Sequence, residues 1–201
     1  MISDLTPEDM IRVIEERGRD GRQFLFDLVL PDKIERLCSA LRMAESAHVR
    51  RVIANLLASL ADPAALPCLL ERLSDLNPDV IAAIADAIGN SAYEQTLPED
   101  LRVRLGTALL DLATDASRPV KVRTGAIYGL GLMRFRPALD TLLQSLESEE
   151  ALERLSGAEA LAHIADQRAI PALRDRLRRE QDNRVQRYIR MALESFAAAK
   201  S

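Results

Sequence analysis

The residues with the most capacity for chemistry lie toward the C-terminus. Arg168, Arg174, Arg176, Arg178, Arg179, Arg184, Arg187 and Arg190 are accompanied there only by Asp175, Glu180 and Asp182, in a chain whose formal net charge is −4. A local excess of guanidinium on an acidic chain suits an acidic protein surface, a phosphate or a nucleic acid. The plainer account is a solvated face on a terminal hairpin. Aromatic residues make up 3% of the chain and Trp is absent, which removes the stacking platform that single-stranded nucleic acid uses. The expected partner is therefore a protein or peptide of acidic character. Arg174, Arg176, Arg178, Arg179, Arg184 and Arg187, together with Arg72 and Tyr93, are the residues expected to touch it.

Other reactive types are sparse. His48 and His163 are the only histidines, neither is followed by Glu, and no H-E-x-x-H spacing occurs, so no metal site is expected. No nucleophile can be placed beside either one, and no catalytic residue or cofactor is expected. The stretch from Gly125 to Gly131 follows no strand and lacks the Lys-Ser/Thr ending of a phosphate loop. Cys38 and Cys68 form neither a C-x-x-C pair nor a four-ligand set, which fits reduced thiols in a cytoplasmic protein. The N-terminal Met1-Ile2-Ser3-Asp4 leads into Glu8 and Asp9, unlike a signal peptide, and no apolar run is long enough to insert in a membrane.

The elements that carry these residues follow from the apolar pattern. Hydrophobic residues reach 48% with few aromatics, so the core is aliphatic and favours helices. Aligning the chain with itself superimposes three segments without gaps, beginning near Val49-Arg50, Val122-Arg123 and Glu153-Arg154. Weaker copies begin at Val80 and Val185. The column Val49, Val80, Val122, Glu153, Val185 recurs about every 31 residues, with one interval lengthened by about 11.

Each unit reads as two helices. Val49, Ile53, Leu56, Leu57 and Leu60 stripe the first; Leu66, Leu69, Leu70 and Leu73 stripe the second. Asp62 and Asp166 stand where they can cap the second helix. Gly129, Gly131, Ala160 and Ala162 are expected to let the two helices of a hairpin approach closely. Arg50, Arg123 and Arg154 recur at the start of first helices, as structural contacts to carboxylates or helix-end carbonyls of an adjoining unit. Residues 1–46 read as a degenerate N-terminal cap: Thr6-Pro7-Glu8-Asp9 starts a helix, Gly18 and Gly21 break the chain, and Leu30-Pro31 with Ile34, Leu37 and Leu41 opens a second helix. Residues 47–196 hold about five repeats and 197–201 a tail. The insertion Asn90–Asp100, with Tyr93, is read as a loop able to grip a partner.

The segment from Arg154 to Leu173, with Val49-Arg50, Val122-Arg123 and Asp62-Pro63-Ala64-Ala65-Leu66-Pro67, resembles the short HEAT-like repeat first associated with phycobilisome lyases. The resemblance covers roughly residues 47–196 and implies an all-α solenoid of stacked antiparallel hairpins, a single right-handed superhelical domain over 1–201. Glu153 and Ile81 depart from the Val and Arg of their columns. The His-Glu pairs of the HEAT-like di-iron hydroxylases are absent. The resulting expectation is a non-enzymatic scaffold or adaptor that binds a partner on the concave surface of its second helices, through exposed positions such as Glu71, Arg72, Gln144, Ser145, Asp175 and Arg176. The resemblance alone implies two alternatives, a bilin lyase-like enzyme or chaperone subunit and a DNA-lesion-binding protein. The oligomeric state is left open.

Overall fold

The structure is a computed structural model and describes residues 5–30 and 32–198. Met1 to Asp4, Pro31 and the final Ala199-Lys200-Ser201 lie outside the described residues, and so do the expectations that rest on them. Among the described residues there are eleven α-helices and no strand. They fall into two compact units, residues 1–96 and 97–201.

The first unit holds α1 (Pro7–Asp27), α2 (Lys33–Met43), α3 (Ala47–Leu60), α4 (Leu66–Arg72) and α5 (Pro78–Ala92). Thr6 caps α1 in a capping box: its hydroxyl accepts from the Asp9 amide at 3.2 Å and its own amide donates to Asp9 Oδ2 at 3.1 Å. Gly18, at φ 52°, kinks α1 but does not end it, and Gly21 is buried within the same helix. The expected break therefore falls at Gly18, whose non-helical backbone (φ 52°, ψ −117°) separates two helical segments of α1 and lies in a region that glycine reaches without strain, and not at Gly21. The first helices α3 and α5 pack side by side, α1 and α2 cover α3, and α4 returns against α5. Val49, Ile53, Leu56 and Leu57 meet Val80, Ile84 and Ile88 as a fully buried aliphatic seam.

The second unit holds α6 (Glu99–Thr114), α7 (Val120–Leu132), α8 (Leu139–Ser145), α9 (Ala151–Ile164), α10 (Ala169–Arg179) and α11 (Asn183–Ala198). Here α9 packs between α7 and α11, and α8 and α10 pack against α9 and α11. All five members of the aligned column, Val49, Val80, Val122, Glu153 and Val185, are buried in first helices. The close approach made by small residues runs between successive first helices, not within a hairpin: a Cβ added to Gly131 of α7 would overlap Ala160 of α9.

Hairpin turns share one backbone signature. Ala61, Arg134 and Ala165 follow α3, α7 and α9 at equivalent positions, and all three are left-handed, with φ of 50°, 50° and 55°. This closes each first helix, after which Pro63–Ala65 and Arg136–Ala138 form single 3₁₀ turns ahead of α4 and α8. The lengthened repeat is not one loop. Its extra residues are divided between a longer connection, Tyr93 to Pro98, and α6, which has 16 residues where α4 and α8 have 7. α11 carries the tail's Ala197 and Ala198 as helix.

Candidate functional site

The recurring arginines each hold the same arrangement. Arg154 Nε and Nη2 grip Glu180 at 2.7 and 3.0 Å, while Nη1 donates to the carbonyls of Ser148 and Glu149 at 2.9 and 2.8 Å. Arg50 does likewise, with Asp75 at 2.7 and 3.1 Å and the carbonyls of Ala44 and Glu45 at 3.1 and 2.6 Å. The planar fork thereby ties the turn before its own helix to the turn after the following helix. The gripped carboxylate also closes its own turn: Asp75 accepts from the Asn77 amide at 2.9 Å, and Glu180 from the Asp182 amide at 2.9 Å. The carboxylate partner stands at the end of the arginine's own repeat.

Arg123 shows how the arrangement survives a missing acid. The turn position held by Asp75 and Glu180 is occupied here by Ser148, which still accepts from the Glu150 amide at 3.1 Å. The carboxylate comes instead from Glu153 on α9, which receives Arg123 Nε at 2.6 Å and the Ser148 hydroxyl at 2.7 Å. Arg123 Nη1 donates to the carbonyl of Arg118. The departure of Glu153 from the valine column therefore has a physical reason. In the lengthened repeat Ile81 stands at the arginine position and is buried.

These pairs are largely out of water. The Arg154 and Glu180 side chains are 10% and 1% exposed, so their charge-assisted bonds act in a weakly screened setting. The Arg154 hydrogen bonds hold the Glu180 carboxyl down to about 2, with the Asp182 amide and Arg176 adding to the effect. Asp75 is likewise lowered: desolvation, which alone would raise it, is outweighed by the bonds from Arg50 and Asn77. Asp62 accepts from the Ala64 amide at 2.9 Å, and Asp166 from the Arg168 amide at 3.0 Å. The Arg168 side chain, bonded to Asp166, brings that carboxyl to about 2.

The C-terminal arginines are less free than their number implies. Arg176 is turned inward onto Glu180 at 2.9 Å, Arg179 bonds Glu147 at 2.6 Å, and Arg178 and Arg184 pair with Asp175 and Asp182 at 3.3 and 3.6 Å. Among the described residues Arg174 and Arg187 make no ion pair and are exposed. Arg72 donates to the Arg42 carbonyl, and Tyr93 is half-buried at the end of α5; both belong to the first unit, the six arginines to the second.

Of the expected exposed second-helix positions, Gln144, Asp175 and Glu71 face solvent, but Ser145 does not. Its hydroxyl donates to the Leu142 carbonyl at 2.7 Å beneath α9, where Gly157 leaves room for it. A cleft of about 410 Å³ opens beside it in the second unit, lined by Thr114, Thr141, Gln144, Glu147 and Ser148. Glu147 on its rim is the carboxylate that holds Arg179 of α10.

Two features escaped the sequence reading. The carboxylates Asp75, Glu153 and Glu180 were not paired with their arginines, although Asp75 and Glu180 follow Arg50 and Arg154 by 25 and 26 residues. The two cysteines, expected as free thiols, form a disulfide between α2 and α4, with Cα atoms 5.8 Å apart. Their separation of 30 residues, close to one repeat period, was the available signal: it places them on neighbouring second helices. His48 lies 3.4 Å from an Arg51 nitrogen, and His163 is half-buried with its pKa lowered by desolvation and by Arg134. No helix among the described residues is long and apolar enough to cross a membrane.

Paired helices in a fixed register, with the first helices α3, α7 and α9 clasped at their starts, define a helical-hairpin repeat protein. The chain belongs to the HEAT repeats, whose family model matches residues 34–102 and 106–194. Protein YibA of Escherichia coli (strain K12) is 26% identical over 141 residues, which is 70% of this chain and 46% of YibA; the chain thus spans about half the length of that curated relative. Among solved structures, a designed armadillo repeat protein in complex with the peptide (KR)4 superimposes with a TM-score of 0.60 at 20% identity, covering 96% of this chain and 100% of that one. The complex of CpcE and CpcF of phycocyanin lyase from Nostoc sp. PCC7120 gives 0.61 at 21% identity, covering 80% of this chain and 97% of that one. Both likenesses are of fold.

Proposed function

We propose that the chain is a non-enzymatic interaction module that holds a protein or peptide segment against α8 and α10 of its second unit. The observation that carries this is the cleft between α6 and α8, whose rim carboxylate Glu147 holds Arg179 at the end of α10. Thr141 and Gln144 offer hydrogen bonds to a main chain or a polar side chain, while Arg174 and Arg178 stand exposed for an acidic residue of the partner. The first helices supply rigidity: their arginines are consumed by the clasps, and a preorganised surface binds at lower entropic cost. That the similarly folded designed repeat protein is complexed with a peptide supports the reading.

The test is reversal of Arg174 and Arg178 to Glu, leaving Arg179 in place because it joins α10 to Glu147. Partner capture from a cell extract, quantified by mass spectrometry, should fall at least about tenfold, as expected for rim and hot-spot charges together. The circular dichroism melt should stay unchanged. Equal capture by the variant would defeat the proposal.

A further inference from the structure

The first unit carries a second candidate surface, of opposite charge and independent of the one above. Two clefts, of about 720 and 290 Å³, share Ile34, Glu35 and Ala64 and so form one continuous trough. One wall is α2. The other is the end of α3, the turn after it and the start of α4, through Leu60, Asp62 and Pro67. Cys38 and Cys68 line the trough from opposite walls and are bonded to each other, so the spacing of the walls is fixed covalently.

The chemistry of the trough is mixed in a specific way. Phe26 and Val29 at its mouth are 39% and 93% exposed, large apolar surfaces that water solvates poorly. Asp27, Asp32, Glu35 and Asp62 line it as well, Asp32 being paired with Arg36 at 3.2 Å. Its cations are already engaged: Lys33 Nζ donates to the Phe26 carbonyl at 2.7 Å, and Arg42 bonds Glu71 at 2.9 Å. Glu35, in the stretch common to both clefts, makes no hydrogen bond or ion pair among the described residues. An exposed carboxylate beside apolar side chains, with every nearby cation committed elsewhere, complements a cation carried next to an apolar group.

We infer that this trough binds a short linear segment of a partner protein in which Lys or Arg alternates with aliphatic residues. Its basic side chain would pair with Glu35, and its aliphatic neighbours would cover Phe26, Ile34 and Leu60. The apolar part supplies burial and the carboxylates supply register, a division of labour usual in peptide grooves.

The full chain, labelled with ¹⁵N, is titrated with the peptide acetyl-Leu-Arg-Val-Lys-Leu-amide, with its counterpart bearing Glu for Arg and Lys, and with spermine. Amide shifts confined to residues 26–42 and 60–68 are expected for the basic peptide alone. Its Kd should rise at least about tenfold in Glu35→Lys, whose side chain has no internal partner to lose, and should weaken with salt. Shifts absent from those segments, an unchanged Kd in the variant, or spermine binding as tightly as the peptide would each overturn the inference. Shifts appearing on α8 and α10 instead would also overturn it while leaving the proposed function standing.

Discussion

At the scale of single residues, the guanidinium of Arg154 satisfies two backbone carbonyls and one buried carboxylate at once. Removing it orphans the Ser148 and Glu149 carbonyls and leaves the buried Glu180 carboxylate to Arg176, so Arg154→Ala should lower the free energy of unfolding by about 2 kcal/mol in chemical denaturation. The pH dependence identifies the cause. The Glu180 carboxyl falls from its ordinary 4.5 to about 2 in the fold. Its contribution is therefore complete above about 4.5 and is lost as pH falls from there toward 2. Acid titration of stability should show this loss in the wild type and a flatter profile in Glu180→Gln. The neighbouring clasp offers a rescue: Glu153→Val should destabilise by roughly 2–3 kcal/mol, and adding Ser148→Glu, which restores an acid to the turn as at Glu180, should recover most of it in the same assay. Recurrence of Arg50, Arg123 and Arg154 was legible in the letters. Their acids were not, because three residue positions, Asp75, Glu153 and Glu180, do one job from two places in the repeat.

At the scale of elements, the N-terminal hairpin is secured differently from the rest. Ala44 stands in the turn after α2, and no arginine clasp joins α1 to that turn; the bond between α2 and α4 fastens the hairpin instead. In the loop-entropy account, a link closing a loop of about 30 residues stabilises by about 3.6 kcal/mol. Guanidinium unfolding of the dithiothreitol-treated protein, or of Cys38→Ala, should show a loss of that size in the first unit, with the Arg154 clasp in the second unaffected. Equal curves with and without reductant would count against it. Helix existence and order were legible because aliphatic stripes at 3.6-residue period repeat through the chain. The lengthened repeat was not, since apolar spacing alone does not say whether extra residues extend a helix or a loop; α6 and Tyr93–Pro98 share them. Ser145 was misplaced for a related reason: its burial depends on Gly157 of the next helix, a tertiary contact that a stripe within α8 cannot encode.

At the scale of the whole molecule, the repeat register fixes the family. Composition alone, with its excess of C-terminal arginine, gave only part of the charge pattern. Arg178 and Arg176 pair with Asp175 and Glu180 along α10 and its C-terminal cap, whereas Arg179 meets Glu147 across 32 residues, a contact that needs the folded chain. The clasps also bear on how the chain reaches its fold. Arg50 meets Asp75 across 25 residues, Arg154 meets Glu180 across 26, and Arg123 meets Glu153 across 30. No clasp waits for a distant segment to arrive, so loop closure is inexpensive at each step and contact order stays low, the condition under which chains fold fast. A polypeptide emerging from the ribosome would complete the Arg50 and Arg154 clasps once the turn after the second helix of that repeat had been made, and the Arg123 clasp with the first turn of the next helix, so an unfinished hydrophobic face would seldom be exposed for long.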